Sequence, residues 1–301
     1  MSWQNWSLCT FLRMTAKPMS FNGLDVKALR AMEKQTLSVP MTPSGWRVRE
    51  VQEPVRGEWI EPKSPFKNGP TARTIFYVHG GGYFFGSPRS HRPITLALTM
   101  GAEARCFSLD YRLAPEHPFP AAFDDTLAAY RQLLKDGIPA DRIVVAGDSA
   151  GGALVLAMMV ALRKAKDPMP KAAVCFSPWT DLAGTGESLT TNNLRDPLVF
   201  GESLKESARH YLGKTSADHP MASPLYADLK GLPPILIHAS EIEVLRDDST
   251  RFAERARKAG VKVRLKLWRD TCHDWQVYAP QLPEAAESLG EASAFIREMV
   301  P

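Results

Sequence analysis

Several kinds of residue and pattern are scarce in this chain, and each absence excludes something. Its 301 residues hold only four cysteines, Cys9, Cys106, Cys175 and Cys272, with no C-x-x-C pair. That argues against a disulfide scaffold and a thiolate metal cluster. Cys106 and Cys175 sit in apolar, strand-like runs, where cysteine behaves as a small hydrophobe. All four therefore read as free thiols of a reducing cytoplasm. No apolar run approaches the ~18 residues that a membrane-spanning helix requires. The opening Met1-Ser2-Trp3-Gln4-Asn5-Trp6 lacks both the early positive charge and the apolar core of a secretory leader. A net charge of +4, with acids and bases interspersed, gives no support to nucleic-acid binding. There are no repeats, no low-complexity tract, no metal-ligand spacing, and no dinucleotide or phosphate-loop glycine pattern. A hydrophobic content of 44% and a charged content of 23% leave an ordinary water-facing globular chain.

Two glycine-rich elements stand out. His79-Gly80-Gly81-Gly82 follows the apolar run Thr74–Val78. Gly147-Asp148-Ser149-Ala150-Gly151-Gly152 follows Arg142–Ala146 and precedes the helix-forming Ala153–Ala157. A strand, a tight glycine turn, a serine and a helix form the context of a nucleophile elbow, in which small neighbours tolerate a strained serine. Alone, G-x-S-x-G recurs by chance; the upstream H-G-G-G makes it specific. Ser149 is the candidate nucleophile. Such a hydroxyl needs a base, and donors aimed at the oxygen that becomes negative. The backbone N–H of Ala150 and those of Gly81 and Gly82 are the candidate donors. His79, ending a strand at the glycine loop, reads as a residue that holds the loop by hydrogen bonds. Asp148 reads as an anchor of the elbow or its neighbouring loop.

Around these motifs the pattern predicts strands at Thr74–His79, Ala104–Asp110, Arg142–Gly147, Ala172–Ser177, Pro234–Ala239 and Val261–Trp268. Helices are expected at Ala121–Lys135, Gly151–Lys166, Asp248–Lys258 and Glu284–Met299. This alternation predicts an α/β fold, a mostly parallel sheet flanked by helices. A hairpin of Trp46–Gln52 and Val55–Ile60 would add an antiparallel edge. Residues 1–45 show two short helical patterns, Trp6–Met14 and Val26–Glu33. Residues 181–229 show no strand and one helix-compatible stretch, Gly201–Leu212. Together they are expected to form a helical cap over residues 46–301, the catalytic domain, with their tryptophans and phenylalanines helping to close an acyl pocket.

In such a fold the base follows the acid along the chain. Of seven histidines, His238 falls inside an apolar strand, and His273, the last, sits in a loop after the last strand. His273 is the candidate base. The acid should leave the tip of Pro234–Ala239, where Glu241, Glu243, Asp247 and Asp248 all qualify. Asp248 has a simpler task capping the next helix, and Asp247 could pair with Arg246 or assist that cap.

With these residues in place, the chain resembles the bacterial hormone-sensitive-lipase-type esterases of the α/β-hydrolase fold. The resemblance rests on His79–Gly82, Asp110-Tyr111-Arg112-Leu113-Ala114-Pro115-Glu116-His117 and Gly147–Gly152. It runs from about Thr74 to the C-terminus. It implies an N-terminal helical cap, hydrolysis of short acyl esters, and no cofactor or metal. It also supports Gly81, Gly82 and Ala150 as oxyanion donors. The family's D-x-L-x-D acid motif falls here on Glu243-Val244-Leu245-Arg246-Asp247, which places the acid at Glu243, a departure in residue type, with Asp247 as the other candidate. The family's H-x-F is His273-Asp274-Trp275. The Asp110–His117 segment reads as a locked turn beside the glycine loop. Tyr83, Phe84 and Phe85 suit either the acyl pocket or the core. The expected function is a carboxylesterase with a Ser149–His273–Glu243 triad. A non-catalytic receptor on the same fold, or an amidase or lipase of the same mechanism, are the alternatives. Related esterases pair their last strand, so a homodimer through 261–268 is expected.

Overall fold

The structure, a computed structural model, describes residues 1–21, 26–36, 41–64 and 73–301. Eight strands form one sheet: β1 (Trp46–Val51), β2 (Gly57–Pro62), β3 (Arg73–Val78), β4 (Ala104–Leu109), β5 (Ile143–Asp148), β6 (Ala172–Phe176), β7 (Ile235–Ser240) and β8 (Val263–Trp268). Their order is β1-β2-β4-β3-β5-β6-β7-β8. The β1–β2 hairpin joins β4 antiparallel, and every pairing from β4 to β8 is parallel. β5, β6 and β7 are buried at every position. That is why their sequences are unbroken apolar runs: parallel strands are covered on both faces. β8, expected to pair a second copy, closes one edge of the sheet and begins at Val263 rather than Val261.

Ten helices accompany the sheet among the described residues: α1 (Trp3–Met14), α2 (Ala16–Phe21), α3 (Val26–Thr36), α4 (Arg92–Gly101), α5 (Ala121–Lys135), α6 (Ser149–Ala165), α7 (Ser188–Thr191), α8 (Gly201–Leu212), α9 (Arg246–Lys258) and α10 (Pro283–Met299). Side chains on each strand alternate between two cores. Val145 and Ile237 face a core shared with α5, α6 and α9, while Val144, Ala146 and Leu236 face one shared with α4 and α10. Thirteen of the 17 residues of α6 are buried, so this helix is a core element on all sides. No helix is long and apolar enough to cross a membrane among the described residues.

Three features depart from the expectations above. The sequence pattern does not announce α4. It starts at Arg92-Pro93, and proline suits the first turn of a helix. Its Ile94, Thr95 and Thr99 are β-branched, which weakens the helical signal, and tertiary burial overrides that preference. Second, α9 begins at Arg246, with Leu245 at its N-cap and no side-chain cap. Asp248 therefore does not cap it; its buried carboxylate accepts instead from the Asp181 N–H at 2.8 Å. Third, α1 buries Asn5, Cys9 and Leu12 against the body and turns Trp3, Trp6 and Phe11 to solvent, so these aromatics do not close a pocket.

Residues 22–25 and 37–40 of the expected cap lie outside the described residues. The rest of it touches the body at defined points. Asn5 Nδ2 donates to Asp270 O at 2.9 Å, in the loop that carries His273. Lys17 on α2 donates to Asn193 O and Asp196 O in the 181–229 segment. α3 reaches the glycine loop after β3, through Arg30 and Glu33.

Candidate active site

The parallel strands deliver the candidate residues at their C-terminal ends. β5 stops at Asp148 and α6 starts at Ser149, whose φ of +49° is a left-handed conformation rare outside glycine. Gly151 must lack a side chain, because a Cβ there would collide with the Val78 carbonyl of β3. The elbow is thus strained at one residue and held by close packing around it.

His273 sits in the loop after β8. Its Nε2 lies 3.0 Å from Ser149 Oγ, and its Nδ1 lies 2.6 Å from Glu243 Oε2. Glu243, fully buried, leaves the loop after β7. Its second oxygen accepts from Ser177 Oγ at 3.0 Å and from the Ser240 N–H at 2.8 Å. The other acid candidates point elsewhere. Asp247 accepts from Arg246 and from the Ser188 N–H, and Glu241 stands 4.0 Å from Arg269. Burial works against a charged imidazole at His273, yet Asp274 and Glu243 outweigh it and hold its pKa well above the usual histidine value.

The glycine loop bends at two positive-φ positions, Gly81 (+105°) and Gly82 (+59°). Gly81 O accepts from the N–H groups of Phe84 and Phe85 at 3.1 and 3.0 Å. Among the described residues, no loop bond uses the Gly81 or Gly82 N–H. Ala150 lies in the first turn of α6, where N–H groups have no partner within the helix. These are the three N–H groups that the sequence reading expects as oxyanion donors. The Asp148 carboxylate accepts from the Gly80 N–H at 3.0 Å, from Tyr77 OH and from His91 Nε2, locking the loop to the elbow. His79 stays with the loop. Its Nδ1 meets Gly80 O at 2.8 Å, its ring stacks on Tyr111 at 4.2 Å, and burial pushes its pKa down to about 3. Tyr111 OH donates to His79 O at 3.0 Å, as a locked turn requires. Tyr83 is buried and stacks on Tyr211 of α8 with ring centres 3.6 Å apart.

Other residues near the site are given no role by the sequence reading. Ser177, at φ +43°, aims its hydroxyl at Glu243. Asp196 accepts from the Val244 N–H at 2.9 Å and so fixes the backbone beside Glu243. Arg30 of α3 donates from Nε to Phe84 O at 2.7 Å, donates to Ala114 O at 2.8 Å and pairs with Glu116. Glu33 accepts from the Gly86 N–H at 3.2 Å. Asp274 places Oδ2 3.0 Å from His273 Nε2. Only Asp274 carries a signal in sequence, its adjacency to the candidate base.

A family model described as alpha/beta hydrolase fold matches residues 75–277. The chain belongs to that family. An acetyl-hydrolase of Streptomyces hygroscopicus is 46% identical over 240 residues, covering 80% of this chain and 79% of its own. An esterase of Acinetobacter venetianus is 35% identical over 296 residues, covering 97% and 96%. Among solved structures, an esterase from the bacterial hormone-sensitive lipase family superposes with a TM-score of 0.91 at 39% identity, covering 100% of this chain and 99% of that one. EstE5, in a crystal soaked with p-nitrophenyl butyrate, gives a TM-score of 0.91 at 38% identity and 99% coverage of both chains. Within the α/β hydrolases this chain is an esterase of the bacterial hormone-sensitive-lipase type.

Proposed function

We propose that this hydrolase cleaves short- to medium-chain carboxylic esters by a Ser149–His273–Glu243 triad. The observation that carries the reading is the unbroken line from Ser149 Oγ through the His273 ring to Glu243, at 3.0 and 2.6 Å. His273 Nε2 takes the Ser149 proton as Oγ attacks the ester carbonyl. The oxygen that becomes negative meets the N–H groups of Gly81, Gly82 and Ala150. Glu243 fixes the imidazole tautomer and stabilises the imidazolium. The alcohol leaves with the proton from Nε2, and water, activated by the same base, releases the acid from the acyl-enzyme. Every proton in this sequence moves between Ser149, His273, the leaving alcohol and water.

The names and soaks of the relatives, acetyl-hydrolase and p-nitrophenyl butyrate, support short acyl groups of roughly two to eight carbons. The four free buried cysteines suit a reducing cytoplasm. The free edge of β8 suits pairing with a second copy. An assembled nucleophile and base disfavour a non-catalytic receptor. The test is kinetic. Ser149→Ala and His273→Ala, each shown folded by circular dichroism, should lose about 10³-fold or more in kcat. Wild-type rates over p-nitrophenyl esters of increasing length should fall beyond about eight carbons. Near-normal turnover by Ser149→Ala overturns the triad. Faster hydrolysis of long-chain triglyceride emulsions overturns the chain-length reading and points to a lipase.

A further inference from the structure

The imidazole of His273 is flanked by two carboxylates. Glu243 lies on the Nδ1 side at 2.6 Å, and Asp274 Oδ2 lies 3.0 Å from Nε2, the nitrogen that also meets Ser149. Asp274 is held at φ +51°, and its side chain keeps 13% of its surface. Its other oxygen, Oδ1, is buried with no hydrogen-bond partner among the described residues. A buried carboxylate without solvation is unfavourable unless a charge offsets it, and the group facing this one is the His273 ring.

Counting protons shows the consequence. Nε2 can take the Ser149 proton only while it carries none itself. With Asp274 ionised, the bare Nε2 lone pair faces a negative charge at hydrogen-bond distance, and a proton between the two removes the repulsion. With Asp274 protonated, its O–H donates to Nε2 and occupies the same lone pair. In either arrangement one proton sits between Nε2 and Oδ2, and the base is free once that proton has passed to bulk water. The surroundings favour keeping it. Glu243 stands on the loop after β7, Asp148 at the β5–α6 junction with Tyr77 and His91 beside it, and Asp196 in the 181–229 segment. Cys272 and Tyr278, neutral thiol and phenol, complete the shell. His91, held by Asp148, is the one cation-forming neighbour among these that works against the proton.

We propose that Asp274 and His273 share one proton at Nε2 in the resting enzyme, and that Asp274 thereby sets the pH above which the base becomes available. The proposal rests on His273 being the base. Burial lifts the Asp274 carboxyl to about 7, with the imidazolium pulling the other way, which fits a proton held jointly.

The test is the pH profile of kcat/KM with a short p-nitrophenyl ester, whose acid limb reports the free enzyme. The wild-type limb should lie above the ordinary histidine value of about 6.5. Asp274→Asn and Asp274→Gly both suit the left-handed backbone at this position. In each, the limb should move down by about one pH unit, a roughly tenfold gain in activity on the limb relative to the plateau. Glu241→Gln, which removes a half-exposed carboxylate from the loop after β7, should leave the limb in place. A wild-type limb at or below 6.5, or a limb that stays put or rises in the folded Asp274 variants, overturns the proposal; a uniform loss at every pH with an unmoved limb makes Asp274 a purely structural residue. His273→Ala separates the two readings. If it is inactive at every pH while the limb ignores Asp274, the sharing fails and the base stands. If it stays active, the base reading itself falls.

Discussion

Glu243→Gln tests the proposed acid of the triad, and the structure dictates how the amide must sit. Glu243 Oε1 accepts from Ser177 Oγ at 3.0 Å and from the Ser240 N–H at 2.8 Å, while Oε2 accepts from His273 Nδ1 at 2.6 Å. The serine hydroxyl can rotate; the Ser240 backbone donor cannot. The glutamine carbonyl is therefore forced to the Oε1 side, which aims its NH₂ at Nδ1. Two donors then face each other, and the imidazole relieves this by moving its proton to Nε2, where it blocks the base. The charge that stabilises the imidazolium is also gone. Loss of the same kind of carboxylate from a serine triad costs about 10⁴ in kcat, or ~5.5 kcal/mol of transition-state stabilisation. A fall of about 10³ to 10⁴ in kcat at unchanged fold, with KM within a few-fold, is the expected outcome. Glu243→Asp retracts the carboxylate by about one C–C bond, ~1.5 Å, so it should recover part of the rate. The assay is steady-state hydrolysis of p-nitrophenyl acetate alongside urea unfolding of each variant. If Glu243→Gln kept more than a tenth of wild-type kcat while Asp247→Asn was nearly dead, the reasoning would be refuted.

The remaining predictions concern the loop and the core. Gly81→Ala places a Cβ against the Phe85 carbonyl at a φ of +105°, so the loop must shift and a donor is lost; kcat should drop by about 10²–10³, and retention of most activity would rule Gly81 out as a donor. Arg30→Ala removes two charged bonds to loop carbonyls and should lower kcat/KM by roughly ten- to a hundredfold, whereas Glu116→Gln, losing an ion pair in which the glutamate is 55% exposed, should act almost as wild type; equal losses in the two variants would show that the ion pair matters instead. His238 in β7 is buried, its Nδ1 meets Ser288 Oγ at 2.8 Å, and burial, helped by Lys266, pushes its pKa down to about 3. Glu291 stands 3.6 Å from Nε2 but is 42% exposed and also engages Lys266, so it does not reverse that direction. The unfolded chain then binds a proton near pH ~6.5 that the folded chain refuses, and stability falls as pH drops below that value. His238→Gln should flatten the pH dependence of urea stability between about pH 6 and 4 by about 1.4 kcal/mol per unit, and an unchanged slope would contradict the burial argument.

What the sequence could and could not convey follows from the range of the forces involved. Strands β3 to β7 and helices α5, α6 and α10 were legible, because continuous burial leaves unbroken apolar runs and one-sided burial leaves a helical period. Ser149 and the loop glycines were legible, because tight turns tolerate few residue types. The ambiguity among Glu241, Glu243, Asp247 and Asp248 could not be resolved from composition, since all four are carboxylates within one short stretch of chain. Which of them meets His273 depends on where α9 begins, and a helix start is set by tertiary packing as well as by local residue type. Asp196 and Arg30 were invisible for another reason. Each acts through backbone groups far along the chain, the Val244 N–H for one and Phe84 O for the other, and such partners leave no spacing in the sequence.

α3 meets the glycine loop through Arg30 at Phe84 O and Glu33 at the Gly86 N–H, and meets the adjoining Asp110–His117 turn through Arg30 at Ala114 O. Helix docking and loop geometry are therefore two coordinates of one equilibrium, and thermodynamic linkage makes their influence mutual. By whatever factor a docked α3 favours a bound anion in the loop, a bound anion favours the docked α3. Under the proposed mechanism, a tetrahedral adduct on Ser149 should then be read out in an N-terminal helix, and a binder that pries α3 away should inhibit without entering the site.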